Sequence, residues 1–251
     1  MSTPVISIVS PVYQSADNVA VLVQRIHAAL APLGKGFEVI LVEDGSTDNS
    51  WEMISVVAVT DTVVHGLRLA RNYGQHTAIR AGLAHAKGEL IVVMDCDLQD
   101  PPEDIPRLIN ALTADMDAVF AERMKTYNTA FQRTLTHGFY RCLSFISRVP
   151  MDGAVANFGV YSAHVVRYML QDTSAFFFLP LAARKYAKHT TTIPVAHAQR
   201  HAGVSGYSLL KAAGLAWRVI IAQSFFANLL IRSNRHYQIR GVTTQAYDTL
   251  Q

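Results

Sequence analysis

The chain has 251 residues, 50% of them hydrophobic and 16% charged, which excludes a disordered segment, a collagen-like repeat and a solvated coiled coil. Its length suits one α/β domain with a C-terminal appendage. The net charge of +3 conceals a division: residues 1–122 carry 7 Lys/Arg against 16 Asp/Glu, net −9, and residues 123–251 carry 15 against 3, net +12.

Such asymmetry suggests one half that handles a cation and another that meets a phosphate, a nucleic acid or a membrane surface; the plain alternative is a chance segregation of solvated charges. Cys96 and Cys142 are too few for a disulfide framework and fit a reduced compartment. The start runs directly into an apolar stretch without a basic leader, so a cytoplasmic location is expected.

In chain order, β-rich runs at 5–9, 37–42, 63–69, 90–94 and 118–121 alternate with stretches of helical periodicity. Val19, Leu22, Val23, Ile26, Ala29 and Leu30 mark the first helix, and 77–86 and 105–112 mark others. This alternation predicts an α/β, Rossmann-like, mainly parallel sheet flanked by helices. After about residue 123 the strand pattern fades, and helices are expected over 129–147 and from about 207 to 232. The division read from the chain is therefore a domain at 1–206 and a helical, basic extension at 207–251.

Four loops follow strands: Pro11-Val12-Tyr13, Glu43-Asp44-Gly45-Ser46, Arg71-Asn72-Tyr73-Gly74 and Asp95-Cys96-Asp97. An open parallel sheet binds ligands at the carboxyl ends of its strands, which gathers these loops on one edge. If the last strand continues, Asp95 and Asp97 point to the same side. At ~6.5 Å and an effective dielectric of ~20 their repulsion is about 2.5 kcal/mol, which a divalent cation removes. Oxygen ligands suit Mg2+ or Mn2+ held together with substrate phosphates. Asp48, Asn49 and Ser50 read as cap chemistry for the next helix, an ordinary structural role. Glu43 and Asp44 are not explained that way, and adjacent acids at a strand end suit hydrogen bonds from a nucleotide base or ribose.

In this order, Pro11-x-Tyr13, Glu43-Asp44-Gly45-Ser46-x-Asp48, Arg71-Asn72-Tyr73-Gly74-Gln75-His76 and Asp95-x-Asp97-x-Gln99-x-Pro101-Pro102-Glu103 resemble the motifs of family 2 glycosyltransferases of GT-A fold. Residues 5 to about 110 carry the resemblance strongly. A weaker continuation runs through Arg123, Arg133 and Asp152 to the segment from His197 to Tyr207, which includes Arg200, His201 and Ser205. The pattern is most similar to the polyprenyl-phosphate branch, which includes dolichol-phosphate mannose synthase and undecaprenyl-phosphate aminoarabinose-type transferases.

The resemblance implies that Pro11, Tyr13, Val42 and Asp44 hold the base and ribose, with Asn72 and Asp95 also in the nucleotide site. It implies that Asp95, Asp97 and Gln99 meet Mg2+ or Mn2+, and that Arg123, Arg133, Arg200 and Ser205 lie near the donor diphosphate or the acceptor phosphate. The implied reaction is inverting, metal-dependent transfer of a sugar from a nucleotide sugar to a polyprenyl phosphate. A saccharide hydroxyl is the alternative acceptor, for which Asp152 is the candidate base, unless it merely caps a turn.

Gln14-Ser15 stands where the family usually has Asn-Glu, Cys96 replaces a small Ala, and Val204 and Gly206 replace charged residues. The branch carries two transmembrane helices beyond the region matched here. Within 209–231, Arg218 would cost about 2.5 to 3.5 kcal/mol at a bilayer centre, which disfavours a span. Lys211, Arg218 and Arg232 instead fit a stripe on a helix lying in the membrane interface, with Arg235, His236 and Arg240 on anionic lipid. A buried or homo-oligomer-forming helix fits as well, and Phe176-Phe177-Phe178-Leu179-Pro180 reads equally as core or lipid contact.

Among the histidines, His76, His85, His137, His189, His197 and His201 show no ligand spacing, and most are expected at the surface. Two other function classes stay open: a nucleic-acid-binding protein, not expected because the acidic half would repel phosphate backbones, and a non-catalytic nucleotide-sugar binder.

Overall fold

In the computed structural model, residues 4–123, 130–151, 155–172, 174, 176–196, 219 and 236–243 are described, without the side chains of 123, 130–136, 155 and 156. Among the described residues, eight strands form one sheet: β1 (Ile6–Val12), β2 (Phe37–Glu43), β3 (Val64–Leu69), β4 (Leu90–Val93), β5 (Ala118–Arg123), β6 (Val155–Ser162), β7 (Thr190–Val195) and β8 (Ile239–Val242). Their order is β7-β5-β6-β4-β1-β2-β3-β8. The β1–β2, β1–β4, β2–β3 and β5–β7 pairings are parallel, whereas β6 and β8 run antiparallel to their neighbours.

The helices are α1 (Ala16–Leu30), α2 (Ser50–Thr60), α3 (Gln75–His85), α4 (Ile105–Ala111), α5 (Ala130–Ser147), α6 (Ala163–Leu170) and α7 (Leu179–Tyr186). Strand side chains alternate between the two faces. Ile6 and Ile8 of β1 join Leu22 and Ile26 of α1, Ile54 of α2 and Leu108 of α4 in one core layer. Val9 of the same strand joins Ala78 and Ile79 of α3, Val165 of α6 and Leu179 of α7 in the other. Helices therefore cover both faces of the sheet, as parallel strands require. Each fully buried Leu or Ile stabilises this arrangement by about 1.5–3 kcal/mol.

The five strands expected in the first half are present, with ends that shift by up to three residues. The expectation that strands fade after residue 123 is corrected, because β6, β7 and β8 lie there. In β6, Asn157 and Gly159 interrupt the apolar run; a Cβ at Gly159 would lie 2.9 Å from the Val119 carbonyl oxygen, so close strand pairing requires glycine. Strand β7 is threonine-rich and carries Pro194, which an edge strand tolerates.

Residues 239–242, read as part of a helical extension, instead form β8 against β3, with Leu67 opposite Val242. The Gly66 N–H donates to Thr243 Oγ1 at 2.7 Å, and the Ala70 N–H donates to the Gln238 carbonyl at 2.8 Å. His236 and Arg240 are exposed beside this strand. The helix expected over 207–232, including Lys211, Arg218 and Arg232, lies outside the described residues apart from Val219, as does Arg235. Among the described residues, no helix is long and apolar enough to cross a membrane. Phe176, Phe177, Phe178 and Leu179 are buried, so this segment is core.

Candidate active site

The parallel registers bring the carboxyl ends of β1 to β4 to one edge: Val12 stands opposite Glu43, Glu43 opposite Arg68, and Val9 opposite Val93. Beyond β1 the chain turns at Gln14, whose φ is +48°. The Gln14 N–H donates to Ser46 Oγ at 3.0 Å, and its side chain donates to Thr47 Oγ1 at 3.3 Å. Asp48 ties the starts of two helices together: Oδ1 accepts from Ser50 N–H at 3.1 Å and Ser50 Oγ at 2.6 Å, while Oδ2 accepts from Ala16 N–H at 3.2 Å. Asp48 thus supplies the capping expected of it and extends it to α1. Asn49, at the cap position of α2, makes no side-chain cap bond.

Glu43 is fully buried; one oxygen accepts from the Ser46 N–H, and the other lies 3.2 Å from Arg68 Nε, outside hydrogen-bond geometry. Asp44 is 2% exposed and accepts from Tyr73 N–H at 2.7 Å through Oδ1 and from Gly74 N–H at 2.9 Å through Oδ2. Burial, opposed by these two bonds and reinforced by Glu43, pushes its carboxyl up to about 6.

Gly45 makes that loop contact feasible. Its φ is +68°, and a Cβ there would lie 2.3 Å from the Asn72 backbone nitrogen and 2.5 Å from the Arg71 carbonyl carbon. The β2 and β3 loops consequently touch backbone to backbone.

After β4 the strand does not continue; it ends at Val93, and Leu98 takes a φ of +62°. The side chains nevertheless alternate: Met94, Cys96, Leu98 and Asp100 are buried, and Asp95, Asp97 and Gln99 are half-buried. The strand continuation on which a shared side for the two acids depended is absent, because a turn begins at Cys96; the two acids have in common their half-buried state. Gln75 Nε2 donates to Asp95 Oδ1 at 2.5 Å, and the Gln99 N–H donates to Asp97 Oδ1 at 3.2 Å. Cys96 faces the core with Met94 and Ile105, and burial first, then Asp97, Asp95 and Asp48, raises its thiol pKa far above the ordinary range. It turns away from the acids, as expected for a replacement of Ala.

This donor set fits a hard divalent cation. Asp95 and Asp97, two residues apart and both half-buried, supply carboxylate oxygens, and the described residues contain no group of three or more His, Cys, Asp or Glu that would form an all-protein cage. Mg2+ and Mn2+ suit such a partial set when phosphates and water supply the remaining ligands.

Of the other residues singled out from the sequence, Tyr13 is 47% exposed just past β1, Pro11 is half-buried and Asn72 is exposed. Val42 is fully buried, and a Cβ on Gly82 of α3 would lie 3.0 Å from it, so its side chain belongs to the core and only its backbone is left to face a ligand. Arg123 and Arg133 belong to β5 and α5, but their side chains are outside the described set, and Asp152, Arg200 and Ser205 are outside it entirely, as are His197, His201, Val204 and Gly206. His137 and His189 are exposed, but His76 and His85 are buried, a correction to the expected surface positions. His85 Nδ1 lies 2.8 Å from the Ala81 carbonyl oxygen one helical turn back. His76 lies edge-on to Phe178 at 4.7 Å, and burial lowers its pKa to about 4.

The family model for glycosyl transferase family 2 matches residues 7–149, more than half of the chain. The chain belongs to this family. Among curated relatives, undecaprenyl-phosphate 4-deoxy-4-formamido-L-arabinose transferases are similar: that of Klebsiella pneumoniae is 35% identical over 216 residues, and that of Yersinia enterocolitica 36% over 220. Each alignment covers 86% of this chain, and the chain spans 66% of the length of each relative. A mannosyltransferase from Pyrobaculum calidifontis, solved with GDP-Man and Mn2+, matches with a TM-score of 0.57 and 17% identity over 92% of this chain and 65% of its own. Glucosyl-3-phosphoglycerate synthase from Mycobacterium tuberculosis, solved with Mn2+, UDP-Glc and phosphoglyceric acid, matches with a TM-score of 0.55 and 18% identity over 87% of this chain and 78% of its own. The shared architecture is the GT-A fold expected from the motifs.

The sequence reading left the hydrogen bonds from residues 73–75 unassigned. These residues stand in the third motif, and Gly74, with a φ of +94° at the entrance to α3, is the residue type that suits the turn there.

Proposed function

We propose that this chain transfers a sugar from a nucleotide-sugar donor to a polyprenyl phosphate, with inversion at the sugar carbon and with Mg2+ or Mn2+ as the cofactor. The observation that carries the reading is the convergence of Asp44, Asp95 and Asp97 at one sheet edge in a chain 35% identical to transferases whose name specifies an undecaprenyl-phosphate acceptor. The nucleotide-sugar and Mn2+ complexes of the structural neighbours support the donor and the cation.

Pro11, Tyr13, the Val42 backbone, Asp44 and Asn72 hold the base and ribose, and Asp95 meets the nucleotide as well as the cation. Tyr13 offers an exposed ring face, and Asp44 offers a carboxylate prepositioned by residues 73 and 74. Asp95, Asp97 and Gln99 hold the cation, which supplies electrostatic stabilisation for the departing diphosphate. Arg123, Arg133, Arg200 and Ser205 act on the donor diphosphate or the acceptor phosphate. An acceptor phosphate oxygen forms the new bond to the sugar carbon as the bond from that carbon to the donor diphosphate breaks, and the electron pair leaves with the diphosphate. The acceptor oxygen is already ionised, so no base is required.

The work site is the inner face of a membrane, reached by peripheral contact through the basic C-terminal region. Incubation with labelled nucleotide sugars, Mn2+ and undecaprenyl phosphate, followed by butanol extraction, tests the acceptor. Label in the lipid phase is expected. Label confined to a water-soluble product would overturn the lipid acceptor in favour of a saccharide hydroxyl.

A further inference from the structure

In the sheet, β1 lies between β2 and β4, so the acids that follow β2 and β4 are not neighbours through strand pairing. Three consecutive residues connect them: the N–H groups of Tyr73 and Gly74 donate to Asp44, and the side chain of Gln75 donates to Asp95. Their support is the start of α3 and the core behind it. Thr77 and Ala78 N–H donate to the Gly74 carbonyl at 2.9 and 3.2 Å, while His76, Ala78 and Ile79 are buried behind them.

An ionised carboxylate only accepts hydrogen bonds, so the amide of Gln75 must present its NH2 end to Asp95. This bond holds Oδ1 of Asp95 and so restricts the carboxylate's rotation. Because the donor is neutral, it does so without cancelling the charge that attracts a cation.

We propose that Gln75 is a positioning residue that orients Asp95 for the divalent cation, and that residues 73–75 form a latch setting the nucleotide and cation subsites in one geometry. The inference rests on the reading of Asp95 as a cation ligand given above. Outer hydrogen-bond partners of metal ligands typically change metal affinity 10- to 100-fold. Gln75→Met keeps the length and helix propensity of the side chain and removes the donor. Gln75→Lys keeps a donor but adds a competing positive charge.

The test titrates Mn2+ by electron paramagnetic resonance in the presence of UDP and, separately, GDP, and measures metal-free nucleotide binding by calorimetry. Circular dichroism checks that each variant is folded. Mn2+ binding is expected to weaken about 10- to 100-fold in Gln75→Met, with metal-free nucleotide affinity changed much less, and Mn2+ binding is expected to weaken in Gln75→Lys as well. Parental Mn2+ affinity in folded Gln75→Met, or an equal loss of metal-free nucleotide affinity, overturns the positioning role. Retention of Mn2+ affinity in Gln75→Lys overturns the requirement for a neutral donor. Absence of nucleotide-dependent Mn2+ binding in the parent protein instead refutes the cation site on which the proposal rests.

Discussion

Asp44 links the site to stability in a way that pH can isolate. Burial moves its carboxyl from the ordinary 3.8 to about 6 in the folded protein. Between about pH 4 and pH 6 the folded state therefore holds this proton more tightly than the unfolded chain does, and stability falls as pH rises. Below that window both states are protonated and no penalty arises; above it both are ionised and the full penalty of about 3 kcal/mol applies. The groups held below their ordinary range, among them Glu103 beside Arg25 and Asp172, act with the opposite sign. A difference from Asp44→Asn cancels these common contributions.

Urea unfolding followed by tryptophan fluorescence, without nucleotide or metal, is the assay. The stability of the parent relative to the variant is expected to fall by about 3 kcal/mol between pH 4 and pH 7. A constant offset also reflects the variant amide, which can accept only one of the two N–H donors. A relative stability that is flat with pH, or that rises, would refute the argument that burial outweighs the Tyr73 and Gly74 bonds. A nucleotide that donates to ionised Asp44 should bind more tightly as pH rises to about 6 and level off above it.

Gly45→Ala combines a left-handed conformation with a backbone collision, so a destabilisation of about 2–5 kcal/mol is expected by denaturant unfolding; a change below about 1 kcal/mol would show that the two loops separate easily. Of the two free thiols, Cys142 is exposed and Cys96 is buried, and a thiol-specific reagent should label Cys142 alone until denaturant is added. Rapid labelling of Cys96 in the folded protein would contradict its core packing.

The first half of the fold was legible because β1 to β5 combine apolar runs with helices of clear periodicity. The later strands lacked that signature for different physical reasons. Close pairing forces Gly159 into β6, an edge position permits Pro194 in β7, and β8 is only four residues long. At the site, Asp44, Asp95 and Asp97 stood out because acids at strand ends have few structural explanations. The Tyr73 and Gly74 donors did not, because a backbone N–H leaves no mark in residue identity. Val42 illustrates the converse: a motif position whose side chain belongs to the core.

Binding of a nucleotide sugar together with a divalent cation at the acidic strand-end site can be measured without an acceptor. Its most direct test is thermal unfolding of the parent and Asp97→Ala with a panel of nucleotide sugars, in Mn2+ and in EDTA. A donor at 100 times its Kd contributes about 2.7 kcal/mol, which raises Tm by about 5–10 °C for a chain of this size. That rise is expected in Mn2+ for the parent and should be much smaller in EDTA and in folded Asp97→Ala. No shift with any nucleotide sugar, or the same shift in Asp97→Ala, would rule out a cation-assisted donor site at these acids.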